Sequence, residues 1–285
     1  MRYTDGYWWS NDNLRLHFRD YPGGKGRPPI LCLPGLTRNA RDFEGVAERL
    51  SPEWRVIAIE FRGRGESAYA KDAMTYAPLT YVQDVGRLLA ELSLDKVILF
   101  GTSLGGLVSM IIAGTGQVKP AGVLLNDIGP EIEPAGLERI RGYVGKGGSW
   151  STWVHAARAL AENNAEVYPR YGLEDWLSMA KRLCRLTPTG RIVPDYDKNI
   201  AEPFRLPGGE AGIDMWPALG PLADVPVLIL RGARSDVLSN VTALTMQERL
   251  HHSSYSTIAD VGHAPTLDEP DAIAAIEAFL SRIAG

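Results

Sequence analysis

The sequence predicts an α/β protein built on a mostly parallel sheet. Short apolar runs rich in β-branched residues recur from Ile30 to the C-terminus. Stretches with apolar residues at helical spacing separate them. The runs are continuously apolar instead of alternating, which is the pattern of parallel strands covered on both faces.

Taken in order, residues 13–19 alternate apolar and polar, the period of a half-exposed strand, with Trp8 and Trp9 just before them. His17 falls on the polar side of that alternation and is expected at the surface. Ile30-Leu31-Cys32-Leu33 reads as a core strand, with Cys32 a small buried hydrophobe. It runs into Pro34-Gly35-Leu36-Thr37, a sharp exit loop, and residues 40–50 read as a helix. Residues 55–61 form the next strand and end in the turn Arg62-Gly63-Arg64-Gly65-Glu66-Ser67, whose charges read as structural ion pairs. In the helix at 78–92, Val82, Val85, Leu88, Leu89 and Leu92 share one face. The strand at 96–100 and the buried helix at 106–113 flank Gly101-Thr102-Ser103-Leu104-Gly105. Residues 121–127 give another core strand, stopped by Gly129-Pro130. From 131 to 221 the chain turns aromatic-rich, with helical patterns at 136–144, 151–162 and 173–185 and no strong strand run; it reads as a helical insertion. Strands resume at 225–231 and 254–258, with a helix at 241–250 between them. A last helix starts near Asp268-Glu269-Pro270, where proline suits an early helical position.

Composition excludes several classes. Net charge is −4 with no run of Lys and Arg, so neither nucleic acid nor a membrane surface is an expected partner. The N-terminus lacks a continuous apolar segment, and no stretch reaches membrane-spanning length, so a cytoplasmic protein is expected. Two cysteines and five histidines show no ligand spacing, and no metal site is expected.

The chemistry concentrates at strand ends. Strand, then G-x-S-x-G, then helix is the context of a nucleophile elbow, in which a strained serine is presented at a helix N-terminus. A serine hydroxyl needs a base to take its proton. His17 precedes the core, His155 lies in the insertion, and His251 and His252 end a helix. His263, in Gly262-His263-Ala264-Pro265 after the last core strand, is the candidate base. A carboxylate must fix its tautomer. Asp236, in the loop after residues 225–231, is preferred, and Asp127 is the alternative. Trp153 and Leu238 are expected to line an apolar substrate pocket.

Leu33-Pro34-Gly35-Leu36, the 61–67 turn, the Ser103 pentapeptide with Gly106, residues 232–236 and the His263 loop together resemble the α/β-hydrolase superfamily over essentially the whole chain. The resemblance implies a core of residues 1–130 and 222–285, with a helical cap at 131–221. It also implies an oxyanion hole from the backbone amides of Leu36 and Leu104. One departure is Pro34-Gly35, where many relatives have His-Gly. Haloalkane dehalogenases and epoxide hydrolases use an aspartate nucleophile, and Ser103 speaks against both. The expected activity is cofactor-free hydrolysis of a small ester, enol-lactone or related acyl compound, with Ser103, His263 and Asp236 as the triad. Carbon–carbon hydrolysis of a ring-cleavage product is the alternative within enzymes, ahead of a perhydrolase or acyltransferase. A non-catalytic ligand-binding protein is the alternative outside them.

Overall fold

Two antiparallel strands, β1 (Thr4–Trp9) and β2 (Arg15–Tyr21), open the chain in the computed structural model, which describes residues 2–24, 26–205 and 214–284. They lead into β3 (Ile30–Leu33), β4 (Val56–Glu60), β5 (Lys96–Thr102), β6 (Lys119–Asn126) and, after a hairpin of β7 (Cys184–Leu186) and β8 (Ile192–Pro194) that stands apart, β9 (Val227–Gly232) and β10 (Ser253–Ile258). The eight strands outside that hairpin form one sheet in the order β1-β2-β4-β3-β5-β6-β9-β10. β2 pairs antiparallel with β4, and every neighbour from β4 to β10 is parallel. A short 3₁₀ turn and α1 (Glu44–Leu50) join β3 to β4. The other crossovers are α2 (Pro78–Glu91), α3 (Leu104–Thr115) and α8 (Asn240–Arg249), and α9 (Pro270–Ala284) closes the chain.

The two-residue period of the strands divides their apolar residues between two cores. Leu31, Leu33, Ile57, Ile59, Val97 and Leu99 face one side, covered by Val85 and Leu88 of α2 and Val108 and Ile112 of α3. Ile30, Cys32, Val56, Ala58, Ile98 and Phe100 face the other, covered by Val46 of α1 and Ile276 and Phe279 of α9. Both faces are buried, and each buried Val, Leu, Ile or Phe side chain stabilises the fold by roughly 1.5–3 kcal/mol. This is why the strands read as unbroken apolar runs. β5 lies mid-sheet between β3 and β6, so its C-terminal end sits among the strand ends that carry the chemistry.

Between β6 and β9 the described residues add no strand to this sheet. They form α4 (Pro134–Tyr143), α5 (Trp153–Asn164), α6 (Leu173–Leu183) and the short α7 (Glu202–Arg205). They also form the hairpin of β7 and β8, where no strand was expected. Its strands are three residues long, too short for a periodic signal. Residues 206–213 of the expected cap lie outside the described residues. Cys32 and Cys184 are both buried and free.

His17 departs from the expected surface position. It is buried, with Nδ1 at 2.9 Å from Glu60 Oε2 and Nε2 at 2.9 Å from Asp5 Oδ1. The turn at 62–67 folds back over the paired strands β2 and β4 and covers it. Ser67 Oγ accepts from His17 N and donates to Glu60 O. Gly65, at φ +53°, is required there, because a Cβ would lie 2.2 Å from the Glu60 carboxylate. Burial alone would lower the pKa of His17, but Glu60 and Asp5 outweigh it and hold the imidazole above its ordinary value. A raised folded pKa gives stability that is complete below the unfolded value, about 6.5, and lost as pH rises through the folded value. The melting temperature of the wild type should therefore fall relative to that of His17→Gln between pH 6 and pH 9. Parallel melting curves for the two proteins across that range would show that this cluster does not titrate.

Candidate active site

β5 ends at Thr102 and α3 begins at Leu104, so Ser103 alone makes the turn between them. Its φ of +51° and ψ of −117° are strained for a residue with a Cβ. The neighbours that permit this are glycines. A Cβ on Gly105 would lie 2.0 Å from Leu33 O, and one on Gly101 would lie 2.5 Å from Gly105 O and Gly106 Cα. Ser103 N donates to Asn126 O at 3.0 Å, locking the turn to the end of β6.

His263 lies in the loop between β10 and α9. Its Nε2 is 2.8 Å from Ser103 Oγ, and its Nδ1 is 2.8 Å from Asp127 Oδ2. Asn126 Nδ2 donates to Thr102 Oγ1 and to Pro265 O, tying the serine turn to the histidine loop.

The carboxylate beside His263 is therefore that of Asp127, not Asp236. Asp127 sits one residue past β6 at φ +55°, a conformation that aspartate tolerates better than most residues. It is fully buried. Oδ1 accepts from Gly232 N at 2.8 Å, and Oδ2 accepts from Ser235 Oγ at 2.6 Å as well as meeting His263. Asp236 turns the other way. The loop after β9 points Ser235 inward to Asp127 and Asp236 outward to α4. There Arg139 grips both its oxygens, at 2.5 Å through Nε and 2.8 Å through Nη2. Gly136 lets α4 come this close, since a Cβ there would lie 2.3 Å from Asp236 O. Burial would raise the Asp236 carboxyl, but the guanidinium outweighs it and holds it below the usual carboxylate range.

Ser103 and His263 line a cavity of about 580 Å³, together with Gly35, Leu36, Arg38 and residues of the segment between β6 and β9. Leu36 is anchored by the buried Arg64, whose Nε donates to Leu36 O at 2.8 Å. Leu104 is the first residue of α3, where an amide has no intrahelical acceptor; it is buried and is not part of the cavity wall. Trp153 and Leu238 are not in the wall either. Leu238 is fully buried in the core beside Gly129, and Trp153, at the start of α5, packs with the second core. Aromatic lining comes instead from Tyr143, Trp150, Tyr168 and Tyr196. Among the described residues no group of three or more His, Cys, Asp and Glu could hold a metal, and no helix is long and apolar enough to cross a membrane.

Known proteins share this arrangement of chain. A 3-hydroxybutyrate-oligomer hydrolase from Cupriavidus necator is 35% identical over 277 residues, covering 94% of this chain and 93% of that one. A 2-(acetamidomethylene)succinate hydrolase from Mesorhizobium japonicum is 31% identical, covering 83% and 80%. The crystal structure of an alpha/beta hydrolase from Novosphingobium aromaticivorans superposes with a TM-score of 0.95 at 54% identity, covering 99% of each chain. The sequence model of the alpha/beta hydrolase family matches residues 30–276, a span that runs from β3 into α9 and takes in Ser103, Asp127 and His263. With sheet order, serine turn and sequence in agreement, the chain belongs to the alpha/beta hydrolase family.

Proposed function

We propose that this protein is a serine hydrolase that cleaves carboxylic esters through an acyl-enzyme on Ser103, and that its substrates are short oligoesters of a hydroxy acid such as 3-hydroxybutyrate. The observation that carries the reading is the unbroken hydrogen-bonded chain from Ser103 Oγ through His263 to Asp127. In it, Asp127 accepts the Nδ1 proton and leaves Nε2 free as the base. Ser103 Oγ attacks the ester carbonyl while Nε2 takes its proton. The amides of Leu36 and Leu104 stabilise the resulting oxyanion, where one such donor is worth roughly 3 kcal/mol in the transition state. Collapse expels the alcohol, which leaves with the proton from His263. A water molecule, deprotonated by the same nitrogen, then releases the acid and restores Ser103. The segment between β6 and β9 acts as the cap that shapes the cavity.

The substrate class follows the relative from Cupriavidus necator, because the similarity covers nearly all of both chains. Units of a hydroxy-acid oligomer are joined by carboxylic esters, the bond this triad is built to attack. A purely ligand-binding role would give no reason to keep a strained serine, a base and a buried acid in register. The test is the linear dimer of 3-hydroxybutyrate, with monomer read by chromatography. Two monomers per dimer are expected from the wild type and none from Ser103→Ala. Wild-type protein that leaves both the dimer and p-nitrophenyl esters intact would refute the reading.

A further inference from the structure

The cavity around Ser103 carries an unequal balance of charge. Arg38, Arg139, Lys146 and Arg182 line it, against one lining carboxylate among the described residues, Asp42. Asp42 is already engaged by Arg38, through Nε and through Nη2 at 2.9 Å. Arg139 is held in the same way by Asp236 from behind. Arg182 shares Asp268 with Arg49. Lys146 has no carboxylate partner among the described residues and stands on the rim in a glycine-rich loop, Gly145-Lys146-Gly147-Gly148.

Arg38 and Arg139 are presented alike. Each uses one edge of its guanidinium, Nε and Nη2, for the carboxylate that orients it. Arg38 Nη2 adds a contact to Met179 Sδ at 3.5 Å. Nη1 of both has no hydrogen-bond partner among the described residues, and in neither is it sealed from solvent. Both arginines line the cavity together with Tyr143 and Tyr168. The stem of Arg38 and the nucleophile flank the same glycine: a Cβ on Gly35 would lie 3.2 Å from Arg38 Cγ and 3.8 Å from Ser103 Cβ. A guanidinium pre-oriented by one carboxylate loses little entropy on taking a second with its open edge.

We propose that Arg38 and Arg139 form a carboxylate subsite beside Ser103, with Lys146 drawing anions to its mouth, so that the preferred substrates are esters carrying a free carboxylate close to the scissile bond. This rests on the ester-hydrolase reading for its catalytic consequence but not for its binding. A hydroxy-acid oligomer ends in such a carboxylate, and each cleavage leaves a shorter chain that still has one.

Binding can be read without turnover in Ser103→Ala protein. Calorimetry would compare the free acid of the 3-hydroxybutyrate dimer with its methyl ester, which removes that charge and adds one methyl group. The acid is expected to bind about ten- to a hundredfold more tightly, the range for a hydrogen-bonded charge pair. Adding Arg38→Gln or Arg139→Gln should bring the preference to within about threefold of unity. Adding Arg158→Gln, an exposed cap cation outside the cavity, should leave it intact. Arg139 is half-exposed, so its variant keeps the test open if Arg38→Gln fails to fold. Equal binding of acid and methyl ester, no binding of the acid, or a preference that survives both arginine variants would each overturn the subsite. A preference for the acid in Ser103→Ala, beside a wild type that hydrolyses neither compound, would uphold the subsite and refute the ester-hydrolase reading instead.

Discussion

Asparagine in place of Asp127 is expected to lower kcat by about ten-thousand-fold while the protein stays folded. The expectation comes from the tautomer. An amide can donate to Nδ1 and so favour the proton on Nε2, where it blocks removal of the serine proton; in the chymotrypsin-type triad that exchange costs about four orders of magnitude. Asp127 is well placed to enforce the right tautomer. It is fully buried, and Gly232 N and Ser235 Oγ hold its two oxygens. Asp236→Asn is expected to keep kcat within about tenfold of the wild type, because its carboxylate faces Arg139 and not His263. Its loss would free Arg139, so the change should fall on KM for carboxylate-bearing esters. Steady-state kinetics of both variants, with circular dichroism to confirm folding, separate the two. A crippled, folded Asp236→Asn beside an active Asp127→Asn would reverse the assignment.

The second large effect is structural. Gly105→Ala should destabilise the protein by about 3 kcal/mol or more. The new methyl would sit 2.0 Å from Leu33 O and 2.5 Å from Leu33 C, both backbone atoms of a central strand that cannot give way. For a chain of this size that corresponds to a fall in Tm of roughly 6–12 °C. Gly114→Ala, on the same helix, is the control. Its nearest neighbour would be Pro221 Cγ at 3.6 Å, an ordinary contact, and alanine suits a helix better than glycine. Its Tm should be equal or slightly higher. Equal losses at both positions would mean that the tight packing of the serine turn is not what Gly105 provides.

The parallel core was legible because its signal is local. Strands buried on both faces must be apolar throughout, so Ile30–Leu33 and the runs at 55–61, 96–100 and 225–231 stand out. The serine turn was legible in part for the same reason, since Gly101 is demanded by Gly105 and Gly106 a few residues on, although Gly105 answers to Leu33 of β3. What failed depends on distant chain. β1 was missed because Asp5 and Gly6 break any apolar pattern, and it exists by pairing with β2. His17 looked solvated because nothing local says that the turn at 62–67 will cover it. The choice between Asp236 and Asp127 turned on which way one loop points. That direction is set by Ser235 reaching Asp127 and by α4 closing on Asp236 through Gly136 and Arg139. One sequence clue favoured Asp127. An Asn-Asp pair ends a buried strand, where a polar residue without a partner would be costly.

Labelling of the nucleophile tests the account most directly. The wild type would be treated with an organophosphonate and digested, and the modified peptide read by tandem mass spectrometry. One adduct per chain is expected, on Ser103, and it should be absent from Ser103→Ala and slowed by orders of magnitude in His263→Ala. An enzyme that hydrolyses esters at full rate with Ser103 unmodified, or that carries its adduct on another residue, would contradict an acyl-enzyme at Ser103.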